Sequence, residues 1–453
     1  MGAVTRPARS ETGPSRAAER PWRWFWLVLV TVAGAALAVV RTTPTSQWFA
    51  LGSEDGPIFT DQVRSHGVVR SFFTTYAGYY HLLPRVVAAI ASPFSLRATP
   101  FIYGLGAALI AGLCGTIAAR CARGAGMSWP TVALTWAIVV LLPGSGWETA
   151  LWLTMVEWYV IATFVVFAAS WIAGYDPPHR WSIPLLVIGG LTSPLLVVSL
   201  PFLAWRAWQR RSRRALVVPA VVLLTAIVHL IGRAVSSPPR GSGNWTPQEL
   251  VRMYGVRVVG GMIGGANGLP ELVEEAKPKA FVVLAVVVVA AMSFAALRLD
   301  RERRWTVWYL VYASIVYLAV AIVIRPAFFV ATLPIGAIVI DGRHTFWNLR
   351  YMAAPITALL FATLVFADHY LRSPRQIARV ASIACLTFIG SMVVVNVPVY
   401  LHRDTVAHWD EQVESAQQQC RQHPDGTITI AYGPPASRPA WRLQLTCAAA
   451  FHR

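Results

Sequence analysis

In a chain of 453 residues, 56% are hydrophobic, only 13% are charged, and the mean hydropathy is +0.52. An ordinary soluble domain carries about a quarter charged residues, so a soluble globular protein is excluded and a polytopic α-helical membrane protein is expected. The net charge of +18 would suggest nucleic acid in a soluble chain, but here it matches the arginine excess of short cytoplasmic loops. Only Lys277 and Lys279 among the 39 basic residues are lysine, a bias that suggests a GC-rich bacterial genome.

Residues 1–21 are rich in Arg, Ser, Ala and Gly and read as a disordered cytoplasmic tail. Residues 22–401 form the multi-span domain. Its candidate spans are Trp24–Val40, Phe101–Ala119, Pro130–Leu142, Ala150–Ile172, Leu216–Ile231, Phe281–Leu297, Val307–Ile324, Met352–Tyr370 and Val380–Leu401. The first has no small-residue cleavage site and reads as a retained anchor. Trp181–Trp208 is long for one helix, short for two, and broken at Gly189-Gly190-Leu191-Thr192-Ser193-Pro194. Arginines flank it on both sides, so a short helical hairpin returning to its starting side is expected. With the hairpin as two helices the total is about eleven. The N-terminus then lies inside and the C-terminus outside, and loops 41–99, 234–278 and 326–349 plus the tail hold 13 of the 21 acidic residues.

Residues 402–453 have soluble character and read as a small extracytoplasmic appendage. Asp404–Gln419 suits an amphipathic helix, and 427–432 and 441–446 alternate like two strands. Cys420 and Cys447 form one disulfide if the tail is outside, or remain two nearby free thiols.

Four places along the chain carry chemistry. Glu54-Asp55 follows the first span, and a carboxylate at an outer interface can serve as general base, with Asp55 favoured. The same pair also suits a solvated loop or a helix cap. The aromatic-rich segment after it ends in His81 and Arg85, four apart and therefore on one face if helical; Arg85 suits a phosphate donor contact or an interfacial snorkelling position. Glu157 lies inside a span, where a carboxylate needs a polar cavity or a buried ion pair. Arg343, His344, Arg350 and Tyr351 precede a late span and suit either a lipid phosphate or an aromatic belt. There is no Walker A sequence, zinc-like Cys/His spacing, nucleic-acid motif or soluble nucleotide-sugar domain, so no cofactor or nucleic-acid partner is expected and any sugar donor arrives lipid-linked.

These residues resemble the GT-C superfamily of integral-membrane glycosyltransferases. The likeness rests on Glu54-Asp55, Tyr80-His81-Leu82-Leu83-Pro84, the hairpin apex Gly190-Leu191-Thr192-Ser193-Pro194, and Arg350-Tyr351, within roughly residues 20–400. It implies a GT-C-like all-α fold in the bacterial plasma membrane. The implied activity is hexosyl or pentosyl transfer from a polyprenyl-phosphate sugar to a glycan or lipid acceptor of the envelope. Asp55 or Glu54 would be the base and Arg343 and Arg350 the phosphate ligands. The Glu-Asp order departs from the Asp-Glu of some branches, and a large periplasmic domain is missing. The competing reading is a transporter or flippase of lipid-linked glycans, which predicts internal repeats; no convincing halves are visible.

Overall fold

The computed structural model describes residues 20–42, 51–76, 78–149, 151–236, 246–275, 278–324, 337–340, 343–346, 349–397, 409–432 and 441–451. Of the expected disordered tail at 1–21, residues 1–19 lie outside them, and Arg20 and Pro21 begin the first helix. The architecture is all-α and multi-pass: among the described residues, seven helices are long and apolar enough to cross a membrane. Each expected span is helical over most of its length, but the α-helix in Ala150–Ile172 begins only at Val156, and that in Val380–Leu401 ends at Val395, with 398–401 outside the described residues. The helices include α1 (Arg20–Val40), α2 (Leu82–Ala91), α3 (Thr99–Gly124), α4 (Trp129–Leu141), α5 (Val156–Ile172), α6 (His179–Thr192), α7 (Leu200–Arg210), α8 (Arg213–Ser236), α9 (Pro278–Ala296), α10 (Arg301–Ile324), α11 (Ala353–Leu371) and α12 (Gln376–Val395); Asp61–His66, Val68–Phe73, Pro247–Met253 and Gly260–Glu275 are helical as well. Three further apolar stretches are shorter, 10–17 residues: Trp24–Val40 within α1, α2 and α4.

Helix α5 is the axis of the bundle. All 17 of its residues are buried, because it is apolar all round and packs against α3, α10 and α11. Small residues let neighbouring helices approach. A Cβ on Gly112 of α3 would lie 2.2 Å from the Thr31 carbonyl oxygen of α1 and 2.7 Å from the Ala35 nitrogen. Thr31 also donates to Thr116 Oγ1 at 3.1 Å across the same seam.

The expected hairpin is present. Helix α6 and the segment Pro194–Arg210 meet at Ser193 with a bend of 118°. The segment returns to its starting end, where Arg210 lies 3.9 Å from Asp176, just ahead of α6, and donates to the Trp171 carbonyl. The arginine-bearing turns converge at that end: Arg206 pairs with Glu302 at 2.6 Å, Arg303 with Asp368 at 3.9 Å, and Arg372 donates to the Gly126 carbonyl at 2.6 Å. At the opposite end lie the Glu54-Asp55 segment and the C-terminal unit.

Two strands, β1 (Ala337–Ile340) and β2 (Arg343–Phe346), form an antiparallel hairpin in the loop before α11. The C-terminal unit comprises α13 (Trp409–Gln422), β3 (Thr427–Ala431), β4 (Arg442–Thr446) and the short helix Cys447–Phe451. Strands β3 and β4 alternate exposed and buried positions, as their sequence pattern requires. A Cys420–Cys447 disulfide ties α13 to the end of β4. The unit is more than a surface appendage, because it clamps the first loop. Arg97 pairs with Asp410 at 2.9 Å, Trp409 Nε1 donates to the Leu96 carbonyl, and Trp441 packs edge-on against Trp152. Tyr432 lies against Gly56, where any Cβ would come within 2.6 Å of its ring.

The α1–α3 seam yields a test. Gly112→Val places a side chain against backbone that cannot move aside, so its cost should reach the upper end of the roughly 1–3 kcal/mol typical of overpacking. Thermal unfolding in detergent should show a clearly lower midpoint, and an unchanged midpoint would contradict this packing.

Candidate functional site

One carboxylate ties the first loop to the start of α5. Asp55, 2% exposed, accepts hydrogen bonds from the backbone N–H of Thr154 at 2.8 Å and of Leu153 at 3.2 Å. The Thr154 hydroxyl donates to the same carboxylate, as does the Gly52 N–H at 3.3 Å. Leu153–Met155 is the 3₁₀ turn that leads into α5. The Met155 amide donates to the Trp152 carbonyl, and Asp55 caps the Leu153 and Thr154 amides from a distant part of the sequence. Burial, opposed by these donors, pushes the Asp55 carboxyl up to about 6, and the neighbouring Glu54 adds to the rise.

Glu54 is placed differently. Its Oε1 accepts from the Tyr76 hydroxyl at 3.1 Å, while its buried Oε2 has no hydrogen-bond partner among the described residues. Glu157, at the start of α5, accepts from the Tyr79 hydroxyl at 3.4 Å and is also hydrogen-bonded to Ser193. It lies within charge–charge range of both Glu54 and Arg350. The apex of the α6 bend therefore reaches this site, with Ser193 on Glu157 and the Thr192 hydroxyl accepting from the Leu83 N–H.

His81 is the centre of an aromatic nest. Its ring stacks on Tyr79 at 4.0 Å and lies 5.7 Å from Tyr76 and 5.8 Å from Phe59. It is 1% exposed, and neither ring nitrogen has a hydrogen-bond partner among the described residues. Its backbone is left-handed, with φ 51°, a strained conformation for a residue with a side chain. Burial lowers its pKa well below the ordinary value, and Arg85 and His229 add to the effect, so the imidazole is neutral. His229 of α8 completes the nest 6.2 Å from Tyr79. Its Nε2–H donates to the Gly190 carbonyl, leaving Nδ1 as an acceptor.

Two expectations change in this arrangement. His81 precedes α2 in a left-handed conformation, so it and Arg85 do not share a helix face. Arg85 is not presented to a ligand as an open fork: it donates to the Tyr80 carbonyl, the Ser71 carbonyl and Gln62 Oε1, and leaves only Nη2 without a partner among the described residues. It braces the loop from beneath. Arg350 lies over Tyr351 at 5.3 Å, and Tyr351 packs edge-on against Trp158, next to Glu157. Arg343 and His344 occupy β2, and their side chains lie outside the described residues.

Arg41 was not singled out by its sequence. It is 1% exposed at the end of α1, bonded to Tyr159 and donating to the Gly146 carbonyl, while Nε and Nη1 have no partner among the described residues. The available signal was its position, an arginine immediately after the first span at the end opposite the arginine clusters. Ser193 and His229 carried no comparable signal, since each is one polar residue within an apolar stretch.

The arrangement provides two carboxylates in mutual range, one with a vacant acceptor oxygen, together with tyrosine hydroxyls, a neutral imidazole and a guanidinium beside Glu157. It can accept a proton from a hydroxyl and counter the charge of an anionic group. Comparison with protein-family models, curated proteins and solved structures finds no match.

Asp55 holds its proton in the folded protein at pH values where the unfolded chain, near 3.8, has released it. Its contribution to stability therefore falls as pH rises from about 4 to 6 and is flat above about 7. Thermal midpoints across that range should show this component in the natural protein and lose it in Asp55→Asn. Identical pH profiles would contradict the assignment.

Proposed function

We propose that this protein is a membrane glycosyltransferase of the GT-C type. In this reading it moves a hexosyl or pentosyl group from a polyprenyl-phosphate donor to a glycan or lipid acceptor at the outer face of a bacterial plasma membrane. The N-terminus is then cytoplasmic and the C-terminal unit extracytoplasmic. The observation that carries the reading is the vacant Oε2 of Glu54, buried beside Glu157 and the Tyr76–Tyr79–His81 nest, with Arg350 in range.

Glu54, rather than Asp55, takes the role of base, because both Asp55 oxygens are occupied by donors from residues 52, 153 and 154. Glu54 Oε2 accepts the proton of an acceptor hydroxyl while that oxygen attacks the anomeric carbon. The bond from that carbon to the phosphate oxygen breaks, its electron pair stays with the phosphate, and the sugar inverts. Arg350 offsets the charge that develops on the phosphate, and Tyr79 with Ser193 fixes Glu157 between them. Asp55 acts as a positioning residue that sets the geometry of the loop.

The two acids should therefore fail differently. In membranes supplied with labelled lipid-linked sugar, Glu54→Gln should lower transfer by about 10²- to 10⁴-fold with little change in thermal midpoint. Asp55→Asn should lower transfer and midpoint together. Full transfer by Glu54→Gln would remove the base from the mechanism, and movement of the intact lipid-linked sugar across liposomes without a new glycosidic bond would favour the flippase.

A further inference from the structure

At the arginine-rich end, at the end of α5 away from Glu157, a cavity of about 370 Å³ is lined by Arg206, Trp208, Gln209, Arg210, Arg211 and Arg301. Its volume is within the range of small-molecule sites, about 300–1,000 Å³. Four guanidinium groups line it, and two acids are in contact with them: Glu302 on Arg206 at 2.6 Å and Asp176 near Arg210 at 3.9 Å. The surplus is two positive charges.

The arginines divide into two kinds. Arg206 and Arg210 are fixed: the first is held by Glu302 and Gln209, and the second donates to the Trp171 carbonyl while lying 4.4 Å over the Trp171 ring. Arg206 Nε is buried and has no partner among the described residues. Arg211 and Arg301 have neither an ion pair nor a side-chain hydrogen bond there. Arg211 adopts a left-handed backbone, φ 46°, that closes α7 and brings consecutive arginines to the same cavity. This conformation is unfavourable for a residue with a side chain.

The depth of the cavity identifies the ligand. Helices α8 and α10 are membrane-spanning in length and begin at Arg213 and Arg301, so the cavity lies where apolar spans start. Trp208 is 72% exposed at its rim, and Trp205 stacks on Trp305 at 4.1 Å nearby. Tryptophans at this level mark the headgroup region. A planar arginine fork matches phosphate oxygens two at a time, and basic pockets between membrane helices bind anionic headgroups.

We propose that this cavity binds the phosphate headgroup of an anionic lipid from the adjacent leaflet. The site is independent of the transferase chamber at the other end of α5. The shared chemistry is a phosphate oxyanion, and lipid is the source favoured by the interfacial depth.

The full chain, purified in detergent, is titrated with phosphatidylglycerol and with phosphatidylcholine and analysed by native mass spectrometry. Phosphatidylglycerol should be retained in preference, and Arg211→Gln with Arg301→Gln should cut that preference by roughly tenfold or more, at about 1 kcal/mol per arginine. Neither residue has a described partner, so the thermal midpoint in phosphatidylcholine should not change. The pair Arg298→Gln with Arg375→Gln, at the same end but outside the cavity, should leave the preference intact. An equal loss from that pair would reduce the effect to general surface charge and overturn the site. Displacement of the lipid by millimolar inorganic phosphate would assign the cavity to a soluble ligand and overturn the lipid assignment. Equal retention of the two lipids by the natural protein would overturn it outright.

Discussion

The contact on which the rest of the structure depends is the Asp55 carboxylate at the start of α5. Helix α5 is buried along its whole length, so the turn leading into it presents amide groups that water cannot satisfy. Asp55 satisfies the Leu153 and Thr154 amides from a segment about 100 residues away in sequence. One interaction thereby closes the helix end, fixes the first loop over the bundle axis, and sets Glu54 beside Glu157. The C-terminal unit presses on the same loop from outside, through Tyr432 on Gly56 and Trp441 on Trp152.

Around that anchor the chain departs from local rules in one place more than any other. Among the described residues, His81 is strained with neither ring nitrogen partnered, Glu54 keeps one vacant oxygen, and His229 keeps one vacant nitrogen. Leaving a buried polar atom unpaired costs about 1–3 kcal/mol. Several such atoms in one chamber are retained at the expense of stability, the pattern expected of a binding site waiting for polar atoms of a ligand. By contrast, the buried Asp368 at the other end is fully engaged by Ser128, Thr131 and Arg372, as a structural carboxylate should be.

Much of the helical architecture was legible in the sequence, because apolar runs report directly on span length. The hairpin was readable from its breaker cluster and flanking arginines, and β3 and β4 from strict alternation. The site was readable only in part. Glu54, Asp55 and Glu157 stand out because acids are rare in this chain, yet the sequence favours Asp55 as base while the fold engages both Asp55 oxygens and leaves Glu54 Oε2 without a described partner. Whether a carboxylate is free or capping depends on amides of residues 153–154, and no local pattern encodes that. Arg85 appeared poised for phosphate, but its partners Gln62, Ser71 and Tyr80 meet it only through the fold of the loop. Ser193 and His229 reach the chamber through helix packing alone.

The central claim is that the chamber transfers a sugar from a lipid-linked donor. It is tested most directly by comparing the polyprenyl-phosphate sugars of cells that have the protein with those of cells from which it has been removed. The account predicts that one polyprenyl-phosphate sugar accumulates in the cells without it while one glycan or lipid of the envelope loses that sugar. Unchanged donor and acceptor pools in the two strains would contradict it.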